Sequence, residues 1–441
     1  MKLPKLTTLI IATILLLAST LATPTPTSTT TKKTHLSKGM LYDHFKKGLK
    51  IEATPPQCTE TFFNKIVPRG FVVSEYKVTT ADGYILTIFR VQKGPVFRSG
   101  LPVVFLQHGI DDSSSGWFLN SENLDLSAMI VNNDFDLFLG NSRGNIFSRK
   151  HVSLTPDDPK YWQFSFQQMG YYDVPANIAK VRTITGVDKL IYIGHSQGTT
   201  QMFAALSDAA VRPKVAPYLV SYHALAPVVY FKNNKIPIIN VAKYIEGLIQ
   251  KQLKDFGINY FTPGDCVWDP STISYWDKTC QDDPDICFVF IFLSDTYKDT
   301  INWSRFGYKK LLTNNGVSTD SLLHYAQLLR GRKNEPLFQK FDYGSAAVNI
   351  QHYGTATPPL YDLSLVQERV RLWHGTGDKI ADFEDVTLLE GALKNASVMR
   401  FPIFEWGHNS FQLGSNCDVV YKPLIQMIKE EGLEQEFSLG E

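Results

Sequence analysis

Residues 101–106 (LPVVFL), 135–139 (FDLFL) and 190–193 (LIYI) are short apolar runs. Each stops at a glycine or a glycine-containing turn: His108-Gly109, Gly140 and Gly194. A run at 218–229 and two late ones at 370–373 and 398–404 repeat the rhythm. Buried strands that end in such turns, with helical stretches between them, predict an α/β chain with a mostly parallel central sheet. Helices are expected at 171–184, with Asp173 as cap and Pro175 in the first turn, and at 418–431. Residues 71–93 read as an antiparallel hairpin: two alternating segments flank Asp82-Gly83, a strong turn signal.

Between about 226 and 358 the strand rhythm is lost. Residues 236–256 (IPIINVAKYIEGLIQKQLKDF) carry apolar side chains at helical spacing with Lys and Glu interleaved. The block precedes the last two strands, so it reads as an inserted helical cap over the sheet's C-terminal edge, where open α/β sheets hold ligands. The organisation expected is a signal peptide at 1–22, a flexible leader at 23–40, core at 41–225, cap or lid at 226–358 and core again at 359–441.

The N-terminus has Lys2 and Lys5 ahead of an apolar stretch, 6–18, then the small residues Thr20-Leu21-Ala22. That is a signal-peptide pattern; the rival is an uncleaved anchor, for which the run is short. No stable membrane span is expected in the mature chain, which is directed to secretion or the lysosome. Forty-four basic against forty-three acidic residues make no strong field, so nothing favours a nucleic-acid partner. Sequons at Asn302 and Asn395 permit glycosylation. Of five cysteines, Cys266, Cys280 and Cys287 share one segment, and one disulfide among the three is expected; Cys58 and Cys417 complete the set.

Gly194-His195-Ser196-Gln197-Gly198 fits G-x-S-x-G, with an apolar strand before it and helix-forming residues 200–206 after it. A serine on such a strand–turn–helix elbow is presented at the sheet edge as a nucleophile. It needs a base, and the chain order on this elbow is Ser, acid, His. Of ten histidines, His408 alone lies beyond the penultimate strand and its Asp378 turn. Asp378, in the turn after residues 370–373, is the acid expected to orient His408, and Asp382 is its competitor. The oxyanion donors expected are the backbone N–H groups of Gln197 and of Ile110, in Gln107-His108-Gly109-Ile110. His108 and Arg143 read as structural. The chemistry needs no cofactor and no metal.

With these residues in place, the chain closely resembles the acid lipases, the gastric and lysosomal lipases and their relatives, from about residue 50 to 432. The resemblance is carried by Thr80-Ala81-Asp82-Gly83-Tyr84, Gln107-His108-Gly109-Ile110, Gly140-Asn141-Ser142-Arg143-Gly144-Asn145, the Ser196 elbow, Phe338-Gln339-Lys340-Phe341-Asp342-Tyr343-Gly344, Thr357-Pro358-Pro359 and Asp378 with Ala381-Asp382. It implies an α/β-hydrolase core with a helical cap and lid. It also implies hydrolysis of lipid esters at a lipid–water interface, with triacylglycerols first and sterol esters as the alternative, and Ser196, Asp378 and His408 as the triad. A catalytically inactive lipid binder is the rival from another class. The chain departs from the family pattern at Gly375-Thr376-Gly377, at Asn409-Ser410-Phe411, where relatives usually carry an aspartate before the aromatic residue, and in its cysteine spacing. The oligomeric state is not indicated.

Overall fold

The computed structural model describes residues 62–234, 256–263, 270–288, 295–306, 315–330 and 336–437, together with Gln250 and Leu253. The signal peptide, the leader, most of the helix expected at 236–256, Cys58 and Cys266 lie outside the described residues.

The strands are β1 (Phe71–Thr79), β2 (Tyr84–Lys93), β3 (Val103–Gln107), β4 (Asp136–Leu139), β5 (Lys150–His151), β6 (Leu190–His195), β7 (Leu219–Leu225), β8 (Tyr260–Pro263), β9 (Asn315–Ser318), β10 (Arg369–Gly375) and β11 (Ser397–Ile403). Nine of them form one sheet in the order β1-β2-β4-β3-β6-β7-β10-β11, with β5 paired to β2. From β4 to β11 every pairing is parallel; β1, β2 and β5 make the antiparallel end. The hairpin runs in register from Phe71 opposite Lys93 to Thr79 opposite Ile85. Residues 80–83 turn the chain, with Thr80 accepting the Tyr84 N–H on its hydroxyl at 2.9 Å. The middle strands β3, β4 and β6 are buried along their whole length. Helices on both faces of a parallel sheet impose that burial, which is why these strands are continuous apolar runs rather than alternating ones.

The helices packed around this sheet include α1 (Leu126–Asn132), α2 (Val174–Thr185) and α3 (Gln197–Leu206). The helix expected at 171–184 begins later, because a π turn at Met169–Asp173 precedes it. Asp173 does not cap α2: its backbone is already helical and its side chain makes no cap bond. Its carboxylate instead accepts Arg143 Nε at 2.9 Å and a terminal nitrogen at 2.6 Å, while Asp82 takes the other side of the guanidinium at 2.6 Å. Arg143 is buried, so a burial cost of several kcal/mol is offset by this double pairing and by the Tyr84 ring 4.0 Å from the guanidinium.

Residues 226–358 enter between β7 and β10. The described part holds helices α4 (Pro270–Asp282), α5 (Pro284–Phe288), α6 (Thr319–Leu328) and α7 (Ala346–Tyr353). It also holds the antiparallel pair β8–β9, which the helical reading of the block did not include. Phe261 faces Val317 in that pair, and side chains of this kind favour the pleat. Cys280 and Cys287 form a disulfide. It packs with Leu119, Ile301, Trp303, Phe306 and Leu413 in a small second core. Cys417 is a buried free thiol.

After β10 come α8 (Phe383–Ala392), β11 and the long α9 (Asp418–Phe437). Behind the sheet, Glu431 on α9 accepts Ser221 Oγ at 2.6 Å, His223 Nε2 at 2.9 Å and Arg371 Nε at 2.9 Å. Burial pushes the Glu431 carboxyl up, but these partners outweigh it and hold it down at about 2. No helix among the described residues is long and apolar enough to cross a membrane.

Candidate active site

β6 ends at His195 and α3 begins at Gln197, so Ser196 alone makes the turn. Its φ of 52° and ψ of −119° are costly for a side-chain-bearing residue. The elbow is over-determined from both sides. A methyl on Gly194 would lie 2.6 Å from the Gly198 carbonyl oxygen, and one on Gly198 would lie 2.5 Å from that of Gln107. Only glycine lets strand, turn and the β3 loop approach so closely.

His408 lies on the loop after β11, and its Nε2 is 2.8 Å from Ser196 Oγ. Its Nδ1 is 2.8 Å from Asp378 Oδ2. Asp378 Oδ1 accepts the N–H groups of Ile380 at 2.8 Å and Ala381 at 2.9 Å, which fixes the rotamer of the carboxylate. Asp382, the competitor on sequence, is elsewhere: it caps α8 by accepting the Glu384 N–H at 2.9 Å. The three residues named from chain order are therefore brought together, while the fourth caps α8.

Gln197 occupies the first position of α3, where a backbone N–H has no acceptor within the helix. Ile110 follows Gly109 in the loop after β3, and Gly109 packs so near the serine that a methyl there would be 3.0 Å from Ser196 Cβ. Both expected oxyanion donors thus belong to segments flanking the hydroxyl. His108 shapes this loop. Its Nδ1–H donates to the Gly109 carbonyl at 2.7 Å, and its Nε2 accepts the Ser142 N–H at 3.0 Å. Burial holds its pKa below the ordinary value, which keeps the ring neutral and Nε2 free to accept.

Sequence reasoning missed several supports. His195, the variable residue of the elbow, donates from Nε2 to the His408 carbonyl at 3.1 Å. Thr376 Oγ accepts the Glu405 N–H at 3.0 Å, and Ser410 Oγ accepts the Gly407 N–H at 3.0 Å. Asp295, from the inserted block, meets the loop just past His408. No local motif marks these residues. Of the two sequons, Asn302 is half-buried with its amide nitrogen donating to Asn120 at 2.7 Å, whereas Asn395 is exposed.

A mostly parallel sheet with a serine on a strained elbow, against a histidine held by an aspartate, defines the α/β-hydrolase class. Residues 102–251 match the family described as alpha/beta hydrolase fold, and residues 64–121 a partial alpha/beta-hydrolase lipase region. Lipase member K of Homo sapiens is 34% identical, over 89% of this chain and 96% of its own length. Gastric triacylglycerol lipase of Rattus norvegicus is 35% identical, over 87% and 95%. Lysosomal acid lipase/cholesteryl ester hydrolase of Homo sapiens is 32% identical, over 87% and 94%. The chain belongs to the acid lipase family of α/β-hydrolases.

Proposed function

We propose that this chain is a lipase that cleaves lipid esters, triacylglycerols first, through a Ser196–His408–Asp378 triad and an acyl-enzyme. The observation that carries the reading is the continuous path of 2.8 Å hydrogen bonds from Ser196 Oγ through His408 to Asp378. Ser196 Oγ attacks the ester carbonyl carbon as its proton passes to His408 Nε2. The tetrahedral oxyanion is held by the N–H groups of Gln197 and Ile110. Collapse breaks the bond to the alkoxy oxygen, which leaves as the alcohol with the proton from His408. A water molecule then gives its proton to His408 and attacks the acyl carbon, releasing the fatty acid and restoring Ser196. Asp378 keeps Nδ1–H directed at itself and stabilises the imidazolium.

A sterol ester is the second reading of the substrate, favoured by the similarity to lysosomal acid lipase/cholesteryl ester hydrolase of Homo sapiens. Secretion or the lysosome is the compartment proposed; the Cys280–Cys287 disulfide fits an oxidising one. Residues 236–256 are proposed as lid or interface contact, and Asn302 and Asn395 as glycan sites, the exposed Asn395 being the more accessible. The test is a panel of triolein, cholesteryl oleate and a short p-nitrophenyl ester across pH, with wild type and Ser196→Ala. Hydrolysis by wild type alone supports the reading. Lipid binding with no turnover and no labelling of Ser196 by a phosphonate would replace it with an inactive binder.

A further inference from the structure

The peptide unit that follows His408 is gripped at both ends. Its carbonyl accepts His195 Nε2–H at 3.1 Å, from the residue beside the nucleophile. Its N–H, that of Asn409, donates to Asp295 Oδ1 at 3.0 Å. The second oxygen of Asp295 takes the Asn409 side-chain amide at 2.6 Å. Asp295 is fully buried, and a buried carboxylate is tolerated only when such donors surround it. Gly407 is needed for the approach, since a methyl there would collide with the Asp295 carboxylate.

Asp295 belongs to a strap of the inserted block, and residues 295–302 of it lie across both active-site loops. On the acid side, Asp295 forms a backbone bridge with Asp378, and the Thr296 N–H donates to the Gly377 carbonyl at 3.0 Å. On the histidine side, Thr300 Oγ is 3.2 Å from Ser410 Oγ, and the Ser415 N–H donates to the Thr300 carbonyl at 2.9 Å. Fixing the peptide after His408 fixes the backbone torsion on which the direction of its imidazole depends. A ring whose Nε2 must meet a hydroxyl at hydrogen-bond distance tolerates little rotation there.

We propose that Asp295 is a positioning residue for His408, holding the Asn409 N–H against the pull of the His195 donor so that the imidazole stays aimed at Ser196. The inserted block would on this account complete the active site as well as cover it. The inference rests on His408 being the base of the proposed reaction.

The experiment measures kcat and KM on a soluble p-nitrophenyl ester, with kcat expressed per phosphonate-labelled Ser196 so that any misfolded fraction drops out. Asp295→Ala and Asp295→Ser remove the acceptor pair. Asp295→Asn keeps an oxygen for the Asn409 N–H, and the Asn409 amide can turn to accept from the new nitrogen. The result expected is a fall in kcat of about tenfold to a hundredfold for Ala and Ser, with KM within about twofold, and recovery to within about threefold of wild type for Asn. Wild-type kcat in Asp295→Ala, or an Asn variant as impaired as the Ala variant, overturns the proposal. So does loss of labelling in both the Ala and Ser variants, which would make Asp295 a purely structural carboxylate. A wild-type chain that neither turns over nor labels would instead sink the reading of the site itself.

Discussion

Two aspartates four positions apart, Asp378 and Asp382, should respond in opposite ways to the same conservative change. In Asp378→Asn the new amide has one oxygen and one nitrogen to place. The side facing the Ile380 and Ala381 N–H groups, at 2.8 and 2.9 Å, must keep the oxygen, because a nitrogen there would confront two donors. The amide NH2 is therefore forced toward His408 Nδ1, 2.8 Å away in the native arrangement. Nδ1 must then accept, so the ring's proton moves to Nε2 and points at Ser196 Oγ. A histidine in that tautomer cannot take the serine proton. The expected loss in kcat is about 10⁴-fold, or about 5.5 kcal/mol of barrier, with little change in stability. Asp382→Asn meets a different demand, at the start of α8 rather than at His408. Its cap bond from the Glu384 N–H survives, because asparagine caps helices about as well as aspartate. Its kcat should stay within about twofold, since the cap holds no part of the triad. The assay is steady-state ester hydrolysis with active-site titration, beside thermal melting. An Asp378→Asn enzyme above about one per cent of wild-type kcat would refute the tautomer argument, as would equal losses in the two variants.

Gly198→Ala should damage the fold as well as the rate. Its methyl would meet the carbonyl oxygens of Gln107 at 2.5 Å and His108 at 2.9 Å, both backbone atoms that cannot swing aside. A loss of about 1–3 kcal/mol in urea unfolding, with activity reduced at least about tenfold, is expected; wild-type stability would show that the loop gives way freely. Glu431→Gln should cost about 2 kcal/mol at pH 7 after allowance for solvent screening, because the folded carboxyl sits at about 2 against an ordinary 4.5. A depressed carboxyl stabilises the fold above 4.5 and loses that contribution as pH falls toward 2, so the gap between the two proteins should close over that window. Urea titrations at pH 7 and pH 3 measure it, and a gap that widens in acid contradicts the assignment.

The parts of this molecule legible in the sequence are those that obey short-range rules. Buried parallel strands must be continuously apolar, which exposed β3, β4 and β6. The elbow needs glycines two residues either side of the nucleophile, and chain order singled out His408 from ten histidines. Asp378 and Asp382 could not be fully separated this way, because both follow the same turn. What distinguishes them is which carboxylate the loop after β11 reaches. Asp173 was misread for a related reason. Its position ahead of a helix looks like a cap, but Arg143, 30 residues upstream, claims one oxygen with its guanidinium and the other with its backbone N–H. The β8–β9 pair went unseen because its strands are short and far apart in sequence, and neither carries a sustained alternation.

Two hydroxyls beside the triad, those of Thr376 and Ser410, share a physical role. Thr376 stands in the glycine-rich turn after β10, and Ser410 stands two residues past His408. Each hydroxyl accepts a backbone N–H of the His408 loop, Glu405 for Thr376 and Gly407 for Ser410. Ser410 also meets Thr300 of the inserted strap at 3.2 Å. A short neutral acceptor at 410 leaves room for that strap, whose Asp295 carboxylate already lies against Gly407 and Asn409. An aspartate at 410 would put a second buried anion beside Asp295, and like charges this close in a dry site repel by several kcal/mol. The serine and Asp295 therefore form one solution to holding the loop. Ser410→Asp alone should be more damaging than Ser410→Ala, and the excess should shrink when Asp295→Asn is added. Double-mutant melting would expose an additive result, and additivity would mean that the two positions are independent.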